Sequence, residues 1–501
     1  MKFIITSPTR AYLQSYDAID LHNLQKDLSY TNTAIQHQIK RHYSSHFWKS
    51  RNPEGWAAHL ESLKKDLKKC LVFQEDNKYY IRPGSLPYLT NLGSIHIENE
   101  VKYITPRKIP WHKPLPFDLH PYQEESWTKL LAEKHGNVSL TTGSGKSAIL
   151  IKLCREMGLN TCIVAPGKAI FNELIEKFEY HFGRKHVGAF GDGQKKLDRK
   201  FTICIGDSIA NIKPESPEYD FFSNLDVLIV DESHTFAAES LETICHDVLG
   251  KIPYRFFLSA TQTRNDGSIP LLQSIIGKTV CSLTTAEAVE KGYICKHDFT
   301  IVAMESSNPG FEGSDALAQK RAHFLNNKNI ASFIARLANG MATVQGKQTL
   351  VLCEELSQLA MLVPLLNVPY ALAHSETRRA RLEELGLEKV KVADSIEKFN
   401  KNEVKVLITT SCCHVGVNIF PTHSTCNWVG GASEIKTKQS SIGRSVRFGR
   451  SNPWANKCIE KNKSTIFDFD VNHPTMKRHL EARLGYYRES NTEIRFINLK
   501  K

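Results

Sequence analysis

The sequence lacks the features of membrane, secreted and zinc-binding proteins. No apolar run in its 501 residues approaches the roughly 20 residues needed to cross a bilayer. The polar start after Met1 and Lys2 lacks the apolar segment of a secretion signal. The 12 cysteines include no C-x-x-C pair, which argues against a zinc knuckle and against a disulfide framework. We therefore expect a cytoplasmic protein without a membrane partner.

Low-complexity tracts are absent too, and the composition is that of a folded chain. Apolar residues make up 41% of the sequence and aromatic residues 9%, which is enough to build packed cores. A length of 501 residues exceeds one ordinary domain by about three-fold. We expect two or three domains.

The charge is unevenly distributed. The formal net charge is +12, which favours an acidic partner such as nucleic acid. Residues 1–115 contain 17 Lys and Arg against 10 Asp and Glu, so more than half of the excess lies in less than a quarter of the chain. The N-terminal part is the basic part of the protein.

Two series of short apolar runs alternate with helical-length segments. Such runs, without polar alternation, predict parallel strands that are buried on both faces. The first series comprises Val138–Leu140, Thr161–Pro166, Phe201–Asp207, Leu225–Asp231 and Arg255–Thr261. After a helix predicted at Ala316–Met341, the second comprises Gln348–Glu354, Tyr370–Ala373, Val404–Thr410, Cys426–Gly430 and Thr465–Phe469. The sequence predicts two tandem, doubly wound α/β domains with parallel sheets, at residues 116–300 and 301–501.

Residues 1–115 have a different pattern, which predicts a small α+β accessory domain. Apolar residues at helical spacing, with lysines on the other faces, predict an amphipathic helix there. These apolar residues are Trp56, Leu60, Leu63, Leu67 and Leu71. Strands are predicted at Lys2–Thr6, Tyr79–Arg82 and Ser94–Glu98, and the prolines from Pro106 to Pro116 predict a linker or a rigid connection.

A glycine-rich loop follows the first predicted strand of the 116–300 domain. It consists of Thr142, Gly143, Ser144, Gly145, Lys146 and Ser147, and a helical run follows it. Glycines let backbone N–H groups converge on phosphate oxygens, and the helix adds its positive N-terminal end. Lys146 would neutralise the β and γ phosphates of ATP, and Ser147 would bind Mg²⁺. Leu140 stands where the motif usually has its first glycine.

Two adjacent acids end a later apolar run of the same domain. Asp231 and Glu232 follow Leu228–Val230, at the sheet edge where ligands of open α/β sheets gather. Asp231 would hold Mg²⁺, and Glu232 would orient and deprotonate the attacking water. The predicted catalytic pair is therefore Asp231 and Glu232.

Asp231-Glu232-Ser233-His234 resembles motif II of superfamily 2 helicases of the DExH type, and other motifs of that family follow its order. The resemblance implies two RecA-like domains over about residues 117–470, with ATP and Mg²⁺ as cofactors. It implies an adenine-reading role for Gln123 and nucleotide contacts for Gly416 and Asn418 of motif V. Val164–Lys168 resembles motif Ia, Ser259–Thr261 matches motif III, and Gly443–Arg447 matches the G-R-x-x-R core of motif VI.

The same resemblance implies a catalytic role for two arginines of motif VI. Arg444 and Arg447 are three residues apart, which predicts one helix face, and they would reach the nucleotide from the second domain as arginine fingers. The sequence departs from the family pattern at Gly167, Gly206-Asp207 and Asn418, and it has Ser440 where the family has a glutamine. These departures concern strand contact and interdomain coupling.

Basic and aromatic residues alternate between Lys40 and Arg51. Such a composition suits phosphate contact plus base stacking, but Tyr43, Phe47 and Trp48 are equally compatible with a packed core. A small basic domain ahead of a DExH motor resembles phage recombination and repair helicases of the UvsW type, which remodel branched DNA. That resemblance implies the host bacterial cytoplasm.

The hypothesis that follows is an ATP-dependent DNA helicase or translocase acting on forked or branched DNA in replication, recombination or repair, including branch migration. An RNA helicase is a second hypothesis, since the motor motifs do not distinguish the two polymers. A third is a duplex translocase that supplies movement to a larger complex without unwinding.

Overall fold

Two compact units make up the protein. The first contains Met1–Leu140 and Gly145–Ser282, and the second contains Thr141–Ser144 and Leu283–Lys501. None of the helices built from the described residues has the length and apolar character needed to cross a membrane. The computed structural model describes residues 1–90, 92–260, 267–312, 315–410, 419–432, 437, 442–448 and 454–498.

The N-terminal region of the first unit is a small α+β structure, as predicted. Its strands are β1 (Lys2–Ser7), β2 (Arg10–Ser15), β3 (Ser29–Thr31), β4 (Lys68–Cys70), β5 (Phe73–Glu75), β6 (Lys78–Ile81) and β7 (His96–Asn99). Five of them form a mixed sheet in the order β5-β6-β2-β1-β7, and β3 pairs with β4. The helices are Ala18–Asp27, Thr33–Tyr43, His46–Arg51 and Pro53–Leu67, with a 3₁₀ helix at Pro83–Tyr88.

The predicted amphipathic helix is present but shorter than its apolar spacing indicated. It begins at Pro53, capped by the Asn52 side chain, and ends at Leu67. The assignment of Leu71 to its apolar face is wrong, because the chain turns into β4 and pairs with β3. Leu71 is nonetheless buried, and its N–H donates to the Leu28 carbonyl at 2.9 Å. Cross-strand pairing therefore overrides the helical period after Leu67.

The N-terminal region shares its hydrophobic core with the nucleotide-loop domain of the first unit. Buried Leu24, Leu28 and Leu86 belong to the same cluster as Leu271 and Ile275 of that domain. A polar contact reinforces this packing, since the buried Arg82 guanidinium donates to the Glu242 carboxylate. The Tyr88 hydroxyl also donates to the Gly277 carbonyl at 2.8 Å. The region is therefore fixed to the domain that follows it.

The proline-containing segment after β7 forms a rigid connection, one of the two predicted alternatives. It has no regular secondary structure, yet its backbone follows the next domain closely. Arg107 N–H donates to the Met157 carbonyl at 2.9 Å, and His112 N–H donates to the His181 carbonyl at 2.8 Å. Trp111 stacks on Phe182 with ring centroids 5.7 Å apart.

The larger sheet of the first unit has eight strands among the described residues. They are β8 (His135–Leu140), β9 (Thr161–Ala165), β10 (Val187–Gly191), β11 (Gln194–Lys196), β12 (Phe201–Ile205), β13 (Val227–Val230), β14 (Tyr254–Ser259) and β15 (Thr279–Leu283). Their order is β11-β10-β12-β9-β13-β14-β8-β15. The pairs from β10 to β8 are parallel. Every residue of β9, β13 and β14 is buried, as their mostly apolar sequences predict, and the buried residues of β14 include Arg255.

Helices connect these strands. The α-helices are Pro121–Glu133, Lys146–Met157, Lys168–Phe182, Gly206–Ala210, Pro217–Ser223, Ala238–Glu242 and Ile269–Ile276. Short 3₁₀ helices lie at Arg184–His186 and Ser233–Thr235, and a π-helix lies at Thr243–Val248. This is the predicted doubly wound α/β architecture.

The second unit is built on a seven-stranded parallel sheet. Its strands are β16 (Lys296–Met304), β17 (Thr349–Cys353), β18 (Tyr370–Ala373), β19 (Val406–Thr409), β20 (Ser424–Trp428), β21 (Lys463–Val471) and β22 (Ile494–Asn498). Their order is β18-β19-β17-β20-β21-β16-β22, and each neighbouring pair is parallel. The predicted fold class, with two parallel-sheet domains after a small α+β region, is confirmed. The strand β16 crosses the predicted domain boundary at residue 300 and lies in the second unit.

The helices of the second unit agree with the predicted alternation of strands and helices, except that one predicted helix is divided. They are Thr285–Glu290, Ala316–Lys320, Lys328–Gln345, Leu356–Leu362, Arg379–Glu384, Val392–Asn400, Gly443–Ser445 and Pro474–Arg488, with a π-helix at Arg321–Leu325 and 3₁₀ helices at Val363–Leu365 and Ala455–Lys457. The single helix predicted at Ala316–Met341 is divided in two. The break lies at Asn327, whose side chain caps the second helix.

A buried ion pair fastens the last long helix to the sheet of the second unit. The Arg483 guanidinium donates to both carboxylate oxygens of Asp468 on β21, at 2.6 and 2.9 Å. The Tyr487 hydroxyl donates to the same carboxylate at 2.7 Å. Arg483 also donates to the Gly431 carbonyl at 2.7 Å, so the pair orders the segment that follows β20.

Replacing Arg483 by methionine should lower the free energy of unfolding by about 3–5 kcal/mol, because the Asp468 charge would remain buried without its partner. Chemical denaturation followed by circular dichroism measures this change. Arg488→Met is the matched control on the same helix. Its exposed pair with Glu481 should contribute less than about 1 kcal/mol. Equal losses in the two variants would contradict the assignment of the buried pair as the anchor.

Candidate nucleotide site and motor motifs

The predicted phosphate loop lies at the carboxyl end of β8. Gly143 and Gly145 have φ angles of +87° and +80°, a region that side chains with a Cβ rarely adopt. Gly145 is the N-cap of the helix Lys146–Met157, and no side chain caps that helix end. The loop backbone therefore turns onto an uncapped helix N-terminus, which is the arrangement that binds phosphate.

Gln123, the predicted adenine reader, contacts the phosphate loop directly. It is buried at the start of the helix Pro121–Glu133, and its Oε1 accepts from the His120 N–H at 2.9 Å. A Cβ added to Gly145 would lie 2.5 Å from Gln123 Nε2. Glycine is thus favoured at position 145 for two reasons: its φ angle is positive, and the Gln123 amide leaves no room for a Cβ.

Lys146 is buried between the loop and the acidic strand end. Its Nζ donates to the Leu140 carbonyl at 3.2 Å and lies 3.4 Å from Glu232 Oε1. The Lys146 side chain is 7% exposed and that of Glu232 is 17% exposed. The structure therefore brings together two residues that are 86 positions apart in the sequence, as the motifs predict.

The two acids after β13 differ in their surroundings. Asp231 is buried, and its Oδ1 accepts the Glu232 N–H at 3.0 Å. Burial and the neighbouring carboxylate of Glu232 raise the pKa of Asp231, while the ammonium groups of Lys146 and Lys177 oppose the rise. A bound cation would favour the ionised form of Asp231.

Glu232 has a strained backbone. Its φ and ψ angles are +48° and +44°, which is uncommon for a residue with a long side chain. The turn is held by Thr235, whose N–H and hydroxyl both donate to the Glu232 carbonyl, at 2.9 and 2.7 Å. Glu232 Oε2 is buried and accepts no hydrogen bond from the described residues. The His234 Nδ1 atom lies 3.5 Å from this oxygen.

Ser147 and Asp231 suit a magnesium ion, because both supply oxygen ligands. Among the described residues, no group of three His, Cys, Asp or Glu could hold a metal by itself. Mg²⁺ commonly takes one or two protein oxygens and completes its shell with phosphates and water. A cation already lies beside Ser147, since Lys177 Nζ donates to its Oγ at 3.1 Å.

Lys177 is a residue of this site that the motif analysis missed. It lies on the helix Lys168–Phe182, where its Nζ also donates to Glu173 Oε1 at 2.5 Å. Lys177 belongs to none of the motifs, and its position in the sequence is typical of a lysine on an ordinary helix surface. Only the packing of two helices places its ammonium beside the predicted metal ligand.

The motifs that resemble nucleic-acid contacts lie at strand ends of the first unit. Gly167 precedes the helix Lys168–Phe182, and Lys168 Nζ pairs with Asp192 at 2.8 Å. Ser259 ends β14, and the preceding Leu258 carbonyl accepts the Ser233 hydroxyl at 3.4 Å. Motif II is therefore hydrogen-bonded to the strand that leads into motif III. Thr261 lies outside the described residues.

The motif VI arginines lie in the second unit. Arg444 is buried within the short helix Gly443–Ser445. Arg447 lies beyond the helix end, in a bend, so the prediction of one shared helix face is wrong. The helix ends early, and the Val446 carbonyl accepts the Cys295 N–H at 2.7 Å. Gly416, Asn418 and Ser440 lie outside the described residues.

A buried lysine holds the backbone on which Arg447 lies. Lys461 Nζ donates to the Arg447 carbonyl at 2.7 Å and to the Phe420 carbonyl at 3.2 Å. Burial lowers the pKa of Lys461 to about 7, with a further lowering from Arg447 opposed by Cys295. The Arg447 guanidinium carbon lies 5.8 Å from the centre of the Phe420 ring. Lys461 thus joins Phe420, which follows motif V, to Arg447, the last residue of motif VI. No sequence motif marks Lys461.

Comparison with known proteins agrees with these motifs. Residues 116–264 match the family described as type III restriction enzyme, res subunit. The DNA 3'-5' translocase XPB2 of Sulfurisphaera tokodaii is 28% identical over 213 residues, which are 42% of this chain and 46% of that protein. The chain therefore spans about half the length of this relative.

Two solved structures resemble the fold. Dbp5 of S. cerevisiae, bound to RNA and ADP BeF3, gives a TM-score of 0.52 at 13% identity and covers 75% of this chain and 89% of that one. T4 UvsW gives a TM-score of 0.42 at 14% identity and covers 100% of this chain and 99% of that one. Residues 116–264 therefore resemble the ATP-driven helicase region of that restriction-enzyme family, and the likeness to Dbp5 shows a fold that helicases share.

Proposed function

We propose that this protein is an ATP-dependent DNA helicase or translocase that unwinds or branch-migrates forked and branched DNA. The observation that carries the proposal is the Lys146–Glu232 pair, 3.4 Å apart beside the phosphate loop. An ammonium that can hold phosphates and a carboxylate that can activate water thus lie together at the carboxyl edge of a parallel sheet.

The phosphate loop, Gln123 and the residues near β13 have separate tasks in hydrolysis. The loop Thr142–Gly145 and Lys146 hold the phosphates of ATP, and Gln123 reads its adenine. Glu232 Oε2, which accepts no hydrogen bond from the described residues, orients the attacking water and takes its proton. Mg²⁺, when bound by Ser147 and Asp231, neutralises phosphate charge. The motif V residues Gly416 and Asn418 complete the nucleotide contacts in this proposal.

Arg444 and Arg447 supply the remaining positive charge. Arginine fingers stabilise the charge that spreads over the transferred phosphoryl group, and they contribute about 10³- to 10⁵-fold in rate. Their placement on the second unit would make hydrolysis depend on the relative position of the two units. That dependence is the physical basis for converting ATP turnover into movement.

DNA is the proposed polymer because of charge and similarity. More than half of the net positive charge lies in residues 1–115, and the relative from Sulfurisphaera tokodaii is named a DNA translocase. Forked and branched substrates, in replication, recombination or repair, follow from the resemblance to UvsW-type phage helicases. A phage origin would place the protein in the bacterial cytoplasm.

The second candidate is an RNA helicase. The fold resembles Dbp5 bound to RNA, and motor motifs contact the backbone that both polymers share. Movement on duplex DNA without unwinding, as part of a larger complex, is the third. ATP turnover by the full chain, with no nucleic acid, single-stranded DNA, forked DNA, four-way junction DNA or matched RNA, separates the first two.

Forked or junction DNA should stimulate ATP turnover most, because phosphate contacts stabilise the closed motor and a branch presents both single and double strands. The stimulation should fall as salt is raised from 50 to 200 mM, since phosphate contacts release counterions. Turnover stimulated chiefly by RNA would overturn the DNA assignment. Stimulation without strand displacement on a fork would favour the translocase.

Glu232→Gln should bind ATP normally and lose about 10²- to 10⁴-fold in turnover, because the amide cannot take a proton from water. Binding of a fluorescent ATP analogue and steady-state turnover measure the two effects. Glu239→Gln, an exposed change shortly after the same motif, is the matched control and should leave both unchanged. Full turnover by Glu232→Gln would remove this residue from the proposed site.

Lys146→Ala should lose nucleotide binding itself, because it removes the ammonium that lies between the loop and Glu232. Lys152→Ala, on the same helix, should bind as the unchanged protein does. Its ammonium lies 3.3 Å from Glu156, away from the loop. Isothermal titration with ATP compares the two variants, and tight binding by Lys146→Ala would contradict the phosphate cradle.

Arg447→Ala should lower turnover by about 10³-fold or more while changing ATP affinity only modestly, as expected for a group used in the transition state. Single-turnover hydrolysis with saturating ATP measures the chemical step directly. Undiminished turnover would remove Arg447 from the reaction and leave Arg444 as the remaining candidate.

A further inference from the structure

The charged Lys, Arg, Asp and Glu side chains of the helices Thr33–Tyr43 and His46–Arg51 are all cationic. From Thr33 to Asn52 the chain has four Lys and Arg and no Asp or Glu. These cations are Lys40, Arg41, Lys49 and Arg51. Helix surfaces of soluble domains usually mix both signs of charge, so this segment favours an anionic ligand.

A buried pair of rings supports this segment. His42 is 5% exposed and stacks on Trp56 of the next helix, with ring centroids 4.5 Å apart and planes at 19°. His42 Nε2 lies 2.8 Å from the Trp56 carbonyl, and Trp56 Nε1 donates to the His42 carbonyl at 3.2 Å. Hydrogen bonds in both directions thus fix the two helices to each other.

Two further rings border that pair and face solvent. Tyr43 is 52% exposed and lies edge-on to Trp56 at 5.9 Å. Trp48 is 37% exposed and lies edge-on to His42 at 4.9 Å. The sequence left two interpretations open for the aromatic residues of this segment, namely stacking on bases and packing in a core. Trp56 and His42 form the core, whereas Tyr43 and Trp48 lie on the surface; the side chain of Phe47 lies outside the described part of the chain.

Cations surround these exposed rings. Lys40 and Arg41 are exposed, and neither makes an ion pair with a described residue. Lys49 Nζ lies 4.9 Å from the Trp56 ring centre, a cation–π contact that leaves its charge at the surface. We call Lys40, Arg41, Tyr43, Trp48 and Lys49 the aromatic surface.

We infer that the aromatic surface binds unpaired bases of single-stranded nucleic acid, with Tyr43 and Trp48 stacking on bases and the cations contacting phosphates. Duplex DNA offers phosphates but hides its base faces, so exposed rings add affinity only where bases are unpaired. Rings held by a rigid core lose little conformational entropy on stacking. The inference deepens the proposed function and rests on it for the identity of the polymer.

An acidic protein or an anionic lipid surface would use the same cations but not the same ring geometry. Stacking on a base contributes about 1–3 kcal/mol per base and tolerates any base sequence. The distinguishing property is therefore dependence on bases, at constant phosphate number. A strand of abasic sites carries the phosphates without the bases.

The test compares binding of the full chain, without nucleotide, to fluorescein-labelled oligodeoxynucleotides by anisotropy. The ligands are a mixed-sequence single strand, an abasic strand of the same length and the matched duplex. Tyr43→Ala/Trp48→Ala should weaken binding to the base-bearing strand by at least about 5- to 150-fold, which corresponds to the stacking energy of one base. Its affinity for the abasic strand and for the duplex should stay within about two-fold of that of the unchanged protein, because the phosphate contacts remain. A two-fold difference is about the resolution of such assays.

Two matched variants control the result. Lys40→Ala/Arg41→Ala should weaken binding to all three ligands, because it removes phosphate contacts. Tyr180→Ala removes an equally exposed tyrosine, 50% exposed with Lys113 over its ring at 4.7 Å, and should change none. Tyr43→Phe/Trp48→Phe, which keeps rings at both positions, should restore most of the base-dependent affinity. This rescue separates stacking from loss of structure.

The inference is overturned if Tyr43→Ala/Trp48→Ala binds the base-bearing strand unchanged, or loses affinity equally for base-bearing and abasic strands. It is also overturned if the phenylalanine variant does not recover. DNA-stimulated ATP turnover of the unchanged protein is measured in parallel. If DNA stimulates turnover but the alanine variant binds the strand unchanged, only the aromatic surface is refuted. If the variant loses base-dependent affinity but DNA does not stimulate turnover, the motor is refuted and the surface is supported.

Discussion

The geometry of the candidate nucleotide site depends on one strand, β14, which pairs with both β8 and β13. All three strands are parallel, so the phosphate loop after β8 and the acids after β13 emerge at the same sheet edge. Two strand spacings separate them, roughly 10 Å. A lysine and a glutamate side chain that extend towards each other can together span that gap, and Lys146 Nζ accordingly lies 3.4 Å from Glu232 Oε1. Sheet order therefore brings these two side chains together.

Sequence patterns predicted most of the strands that are buried on both faces, although they missed the largely buried β10 and β16. The strands β9, β13 and β14 are mostly apolar and were found with small shifts at their ends. The strands β11 and β22 were missed because edge strands need no apolar face, and most of their residues are exposed. Lys177 and Lys461 could not be found either, since long side chains reach their partners only after helices and strands have packed.

The N-terminal region shows how a separate composition need not mean a separate folding unit. Its charge distinguishes it clearly, yet Leu24 and Leu28 pack in one cluster with Leu271 and Ile275. Deleting residues 1–115 would uncover those side chains, at about 25 cal/mol per Å² of apolar surface. The buried Arg82 would also be lost from Glu242. Loss of activity in such a truncation would therefore report on the core, and only surface substitutions can assign a binding role to this region.

A single buried ammonium links two parts of the second unit that the family motifs treat as separate. Lys461 donates to the carbonyls of Phe420 and Arg447, and no described carboxylate offsets its charge. Backbone oxygens carry only partial negative charge, so burial there is costly and lowers the pKa of Lys461 to about 7. A buried ammonium of this kind is costly, and its two hydrogen bonds hold both carbonyls in position. Since Arg447 is attached to one of them, displacing the segment after motif V also displaces the backbone of this arginine.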